Sequence, residues 1–183
     1  MRIAKATLNR KWLAATLLAA LAYAILASLD MRLKALSGAG TADLQGFTSA
    51  AQFEAAFHAW GVKAYLSRAG FNLGFDYLFM PLYAASLFYS GVIVMEAFTL
   101  RGSSLRRILS MAAIAPVVAA GLDALENALH LTMLWSGPSD ALARTASTLS
   151  TAKWAGIAIG LLLLAGAFFA RLMEQQKARL GRG

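Results

Sequence analysis

Four apolar runs divide the chain: Trp12 to Leu29, about Phe71 to Ala97, about Ile108 to Trp135, and about Trp154 to Leu172. Each is about 18 residues or longer, enough for a helix to cross roughly 30 Å of hydrocarbon. The second and third exceed that minimum and are expected to tilt or to project into the interface. The pattern predicts an all-α integral membrane four-helix bundle, a single membrane domain over residues 1–183. The first run also has the outline of a secretory leader, with a basic start and a cleavage-like Ala22-Tyr-Ala24. It continues unbroken to Leu29, so it is expected to be retained as the first crossing.

Polar residues interrupt the runs at helical spacing. At about 100° per residue, Asp123, Glu126, Asn127 and His130 fall within one arc of the third helix. Asn72, Asp76, Tyr83, Ser86 and Ser90 form a stripe on the second, with Phe79 among them. An ionisable group at mid-bilayer costs roughly 2.5–3.5 kcal/mol on insertion scales, so such groups turn towards a partner or a wet cavity. The two stripes are therefore expected to face each other. Lys153 begins the fourth run and Arg68 precedes the second. This places cations at the mouth of an outward-facing polar pocket and acids inside it. Pro81 and Pro116 interrupt their own helices' hydrogen bonding and are candidates for kinks that open space between neighbours.

The segments between the runs follow from charge and turn chemistry. Arg2, Lys5, Arg10 and Lys11 precede the first run, Arg101, Arg106 and Arg107 lie between the second and third, and Arg171, Lys177, Arg179 and Arg182 follow the fourth. The positive-inside rule assigns all three segments to the cytoplasm, with both termini inside. The first external loop reads as a flexible stretch, "SGAGTADLQG" (37–46), followed by an amphipathic helix over about 49–60 that Thr48-Ser49 would cap. Phe53, Phe57 and Trp60 share one face of it. They suit an interfacial helix anchored on the membrane by its aromatics, with a lid over the bundle as the second reading. "SGPSDALARTAS" (136–147) reads as a short polar loop.

Composition agrees with the pattern. The 183 residues are 59% hydrophobic and 14% charged, against about 45–50% and about 25% in soluble domains, and the mean hydropathy is +0.60. The net charge of +8 does not form the single basic stripe of a nucleic-acid site, so no nucleic-acid partner is expected; the partners are membrane lipids. The chain has no cysteine, which removes thiolate chemistry and disulfides. Localisation in a bacterial inner membrane is expected, multi-pass.

Three readings of the polar residues stand side by side. The first is binding or acid–base conversion of a lipid-like small molecule. Asp76, Glu126 and His130 would carry proton chemistry, and Asn72, Tyr83, Asp123, Asn127 and Lys153 would bind or orient the ligand, since an apolar wall with a few convergent polar groups is how small-molecule sites are built. The second is a structural or accessory membrane subunit in which the same groups are helix–helix glue. The third is a proton- or ion-coupled transport component. No cofactor is expected. Metal is disfavoured because Glu126-x-x-x-His130 lacks the Glu-x-x-His spacing and a second copy, and no Gly-x-Ser-x-Gly signals a hydrolase. Gly156-Ile-Ala-Ile-Gly160 permits close helix approach, to the Ala-rich first helix or to a second copy as a homo-oligomer.

With "FDYLFMPLYA" (75–84), "LDALENALHL" (122–131) and the loop helix ending at Trp60, the chain resembles small four-helix bacterial integral membrane proteins. That resemblance implies the four-crossing fold and no activity. Its architecture is also similar to the sterol isomerases and sterol-binding proteins of the emopamil-binding type, which are compact membrane bundles with buried acids and histidine. No residue roles carry over from them.

Overall fold

The computed structural model describes residues 5–62, 64–98 and 104–180, without the side chains of 98 and 177–180. Arg2, Arg101 and Arg182, and the side chains of Lys177 and Arg179, lie outside the described residues. The order is α1 (Lys5–Ser37), a 3-10 turn (Ala42–Gly46), α2 (Ala50–Val62), α3 (Leu66–Phe98), α4 (Ser104–Ser136) and α5 (Asp140–Leu180). Four of these helices are long and apolar enough to cross a membrane. A helix of 33 residues is about 50 Å long, so each outruns the hydrocarbon and carries polar turns beyond it.

The bundle is apolar on its outside. Leu17 and Leu21 of α1, Met111, Val118 and Leu125 of α4, and Leu162, Phe169 and Leu172 of α5 are all exposed. Such a surface is costly in water and suits lipid. α3 packs against α1, α4 and α5, and α4 packs along α5. The inner face of α4 runs through Ala113, Pro116, Ala119, Asp123, Glu126, His130 and Met133, steps of three and four that keep one stripe inward. Both prolines sit inside unbroken helices, with Pro81 lining an open apolar groove of about 490 Å³ against Val117, Ala120 and Gly121.

Three expectations about the connections change. The segment 136–147 is not a polar loop but a turn over 137–139 followed by the start of α5. Gly137 takes φ +91° and its N–H bonds the Met133 carbonyl at 3.0 Å, a left-handed helix ending that glycine permits. Pro138 cannot extend the helix and Ser139 caps the next one, its Oγ accepting from Leu142 N at 3.3 Å. α5 therefore starts some 13 residues before Lys153, and the residue is well inside the helix.

The stretch 37–46 is fastened rather than flexible. Lys34 pairs with Asp43 at 2.6 Å, Gly40 N donates to Asp43 Oδ2, and Trp60 Nε1 donates to the Ala39 carbonyl. Asp30 Oδ1 accepts from Thr41 Oγ1 and Ala42 N. A side chain at Gly40 would overlap the Asp30 carboxylate, its Cβ falling 2.5 Å from Oδ1.

α2 turns its aromatic face into the bundle rather than offering it to lipid. Phe53 and Trp60 are fully buried in a cluster with Leu33, Leu44, Leu73, Met133 and Ala143. Burying each such side chain is worth roughly 1.5–3 kcal/mol, so these rings are not available as interfacial anchors. The helix is capped by Gln52, whose Oε1 accepts from Thr48 N and Ser49 N, and by Asp140, which accepts from Ala50 N at 2.8 Å.

Within the chain the small face of α5 meets α4 and α3 rather than α1. A Cβ on Gly156 would fall 2.9 Å from the Ala115 carbonyl oxygen and from Ala119 Cβ, and one on Gly160 2.7 Å from Leu87 and Pro116. The glycines let two backbones approach within the chain.

Candidate functional site

The charged groups of the stripes meet in a buried network centred on Lys153. Its Nζ lies 2.6 Å from Asp123 Oδ1 and 2.7 Å from Glu126 Oε2. The three side chains are 0–6% exposed. Desolvation of each charge in such a place costs several kcal/mol, recovered only by close pairing. Asp123 is bound on its other oxygen too, accepting from Tyr83 OH at 3.1 Å. The Glu126 contact is an ion pair without a well-directed hydrogen bond, and neither Glu126 oxygen has a hydrogen-bond partner. His130 Nε2 stands 3.9 Å from Glu126 Oε1, and both its ring nitrogens are likewise without one. The Phe53 ring of α2 covers the imidazole, centroid to centroid 5.6 Å.

A second group faces the second helix. Asn127 Nδ2 donates to Asp76 Oδ2 at 2.8 Å and to the Leu73 carbonyl at 3.3 Å. Asn72 Nδ2 donates to Thr41 Oγ1 at 2.6 Å, while Asn72 Oδ1 is buried without a partner. The polar stripes of α3 and α4 do face each other, as their spacing predicts. Lower on α3, Ser86 bonds Thr16 and Ser90 accepts from Trp12 Nε1, both across to α1. These two serines serve helix contacts.

A cavity of about 500 Å³ lies between α1, the 37–46 loop, α3, α4 and α5. Asn72, Asp76, Asp123, Asn127 and Lys153 line it. Glu126, His130 and Tyr83 do not: they stand behind Lys153 and Asp123. Lys153 was expected at the mouth and is instead 2% exposed at the centre. Arg68 is exposed and sits over the Tyr65 ring, away from the cavity. Tyr23 and Trp154, more than half exposed, also line the cavity and stand at its rim.

Sequence reasoning passed over four polar lining residues: Tyr23, Asp30, Thr41 and Gln45. Asp30 reads as the first residue of the external loop, Thr41 and Gln45 as part of its flexible stretch, and Tyr23 as one residue of the first apolar run. The only hint was an acid, Asp30, directly abutting a hydrophobic run and separated from Thr41 by a glycine-rich turn. The loop is pinned against α5 as well, since Trp154 Nε1 donates to Gln45 Oε1 at 3.0 Å. The chain matches no family model, no curated protein and no solved structure.

Proposed function

We propose that the protein is a multi-pass membrane protein that binds, or converts by acid–base chemistry, a lipid-like small molecule held within its bundle. The observation that supports this most directly is the cavity whose wall combines Asn72, Asp76, Asp123, Asn127 and Lys153 with Leu26, Phe79 and Ile157. An apolar chamber with a few fixed polar groups is the usual form of a small-molecule site. In this reading residues 1–183 act as one membrane domain of an inner membrane, with both termini cytoplasmic and the cavity in the outward half.

The roles divide by position. Asp76 borders the cavity and has only one oxygen engaged by Asn127, so it is the group placed to take or give a proton. Asn72 and Asn127 orient the ligand. Lys153, Asp123 and Tyr83 form a rigid frame behind it. Glu126 and His130, one layer further in, position Lys153 and hold a proton in reserve rather than touching the ligand.

The glue reading is favoured by one specific observation, that Lys153 is fully engaged by two acids in its own chain. It accounts for that triad and for the bonds of Asn72 to Thr41 and of Asn127 to Asp76, but not for the cavity between them or for the unpartnered Asn72 Oδ1. Extraction and mass spectrometry of molecules that co-purify with the gently solubilised protein test the choice. A stoichiometric lipid lost in Asp76→Asn at unchanged thermal stability is expected. No bound molecule, together with lowered stability in Asp76→Asn, would leave the glue reading.

A further inference from the structure

Resting on the cavity reading above, we infer that the ligand carries a cationic amine, a primary ammonium on an apolar body, seated between Asp76, Asp30 and Asn72. The charges on the wall lead there. Three carboxylates, Asp30, Asp76 and Asp123, line the cavity with one cation, Lys153. Lys153 is already paired with Asp123 and with Glu126 behind it, so it has no charge left over for an anionic headgroup. Asp30 and Asp76 have no ion-pair partner among the described residues.

The hydrogen-bonding inventory has the same sign. Asn72 is 3% exposed and lines the cavity, and its Oδ1 has no partner while its amide nitrogen is spent on Thr41. Asn127 spends its amide nitrogen on Asp76 and Leu73, and Tyr83 spends its hydroxyl on Asp123. Those three donors are engaged, and carboxylate acceptors remain on the wall: the second oxygen of Asp76 and the second oxygen of Asp30, whose other oxygen holds Thr41 and Ala42, while Asn72 Oδ1 is buried without a partner. An ammonium offers three N–H donors and no acceptor. Bonds from a charged donor to carboxylates are the short, strong kind. Tyr23 and Phe79, with ring centroids 5.9 Å apart, and Trp154 supply the aromatic walls that attract a cation. A carboxylate or phosphate would meet two unpaired acids and an orphaned carbonyl oxygen.

An ammonium is offered by a lipid headgroup and by a free polyamine, and titration separates them. The full chain in nonionic detergent is titrated with dodecylamine, dodecanol and dodecanoate, following thermal unfolding. Phosphatidylethanolamine in mixed micelles and spermidine are titrated in parallel. Saturable stabilisation by dodecylamine, weakened about ten-fold or more in Asp76→Asn, is expected. Asp30→Asn, which retains an acceptor for Thr41, carries the same test if Asp76→Asn does not fold. Phosphatidylethanolamine saturating where spermidine does not supports the inference and assigns a lipid headgroup; spermidine saturating where neither phosphatidylethanolamine nor dodecylamine does overturns the apolar body. Dodecanoate binding as tightly as dodecylamine, or dodecylamine affinity unchanged in both variants, overturns it. Dodecanol matching dodecylamine with no effect of Asp76→Asn overturns the ammonium while the cavity reading stands. No binding of any probe, with no co-purifying lipid, overturns both.

Discussion

Lys153 Nζ and Asp123 Oδ1 lie 2.6 Å apart because the two residues sit at equal depth in one hairpin. Each is about 13 residues, or roughly 20 Å of helix, from the Gly137–Ser139 turn that joins α4 to α5. Shifting either helix by one turn would separate them by about 5 Å. The pair therefore fixes the register of α4 on α5, and Glu126, one turn from Asp123, joins on the same face.

Removing the cation should expose what the triad holds. Lys153→Met leaves Asp123 and Glu126 buried beside each other with no counter-charge, a loss of about 3–5 kcal/mol. Thermal unfolding in detergent should show a large drop in Tm. Adding Asp123→Asn and Glu126→Gln to Lys153→Met should recover most of it, because the uncompensated charges are then gone. A single variant with wild-type Tm would mean that the triad carries no net stability.

Gly156→Leu should wedge α5 away from α4. The new side chain starts 2.9 Å from Ala115 O and Ala119 Cβ, and overpacking of this kind costs about 1–3 kcal/mol. The expected result is a lower Tm with unchanged oligomeric mass by light scattering. A halved mass at unchanged Tm would instead identify this face as a subunit contact.

Phe53→Ala should uncover His130. Loss of a buried phenylalanine costs about 3–5 kcal/mol, and the ring stands over the imidazole. In the wild type, diethyl pyrocarbonate should modify exposed His58 and spare His130. In Phe53→Ala both should react, as read by peptide mass spectrometry. Equal labelling of both histidines in the wild type would contradict the packing of α2 on α4.

The 37–46 loop should loosen in acid. Burial alone would raise Asp43, but Lys34 and the Gly40 N–H outweigh it and hold its carboxyl below the usual range. A depressed folded value means that the stabilisation is complete above the unfolded value, about 3.9, and is lost as pH falls through the lower folded one. A spin label on a cysteine introduced at Gly46 should be immobile from neutral pH down to about 4 and gain mobility below it. In Asp43→Asn the label should be mobile throughout and lose the pH step.

Topology follows from the basic flanks and is testable without purification. Reporter fusions at Gln45 and after the C-terminus should report opposite sides of the membrane, with the C-terminus cytoplasmic. The same side for both would contradict four crossings.

What the sequence determined by itself was set by local periodicity and by the solvent. Four apolar runs can only be helices in lipid, because no other open structure satisfies its backbone there. The inward stripe of α4 was legible because Asp123, Glu126, Asn127 and His130 recur at helical spacing on an apolar background. Its meeting with Asn72 and Asp76 followed from the cost of pointing acids at lipid. Tertiary structure decided the rest. Lys153 reads as a mouth residue because 136–147 is polar enough to read as loop and the fourth apolar run starts only at about Trp154. Only packing against α4 and the loop shows 140–152 to be helix, which carries the lysine inward to Asp123. Asp30 and Thr41 became part of the cavity wall because the loop folds back between α1 and α5, a contact between segments that no local pattern encodes. The aromatic face of α2 fits an interface or a core equally well by spacing. The packing of Phe53 on His130 and of Trp60 under the loop made it core. Sequence selects which faces must leave water, and only the three-dimensional neighbours decide which of them meet.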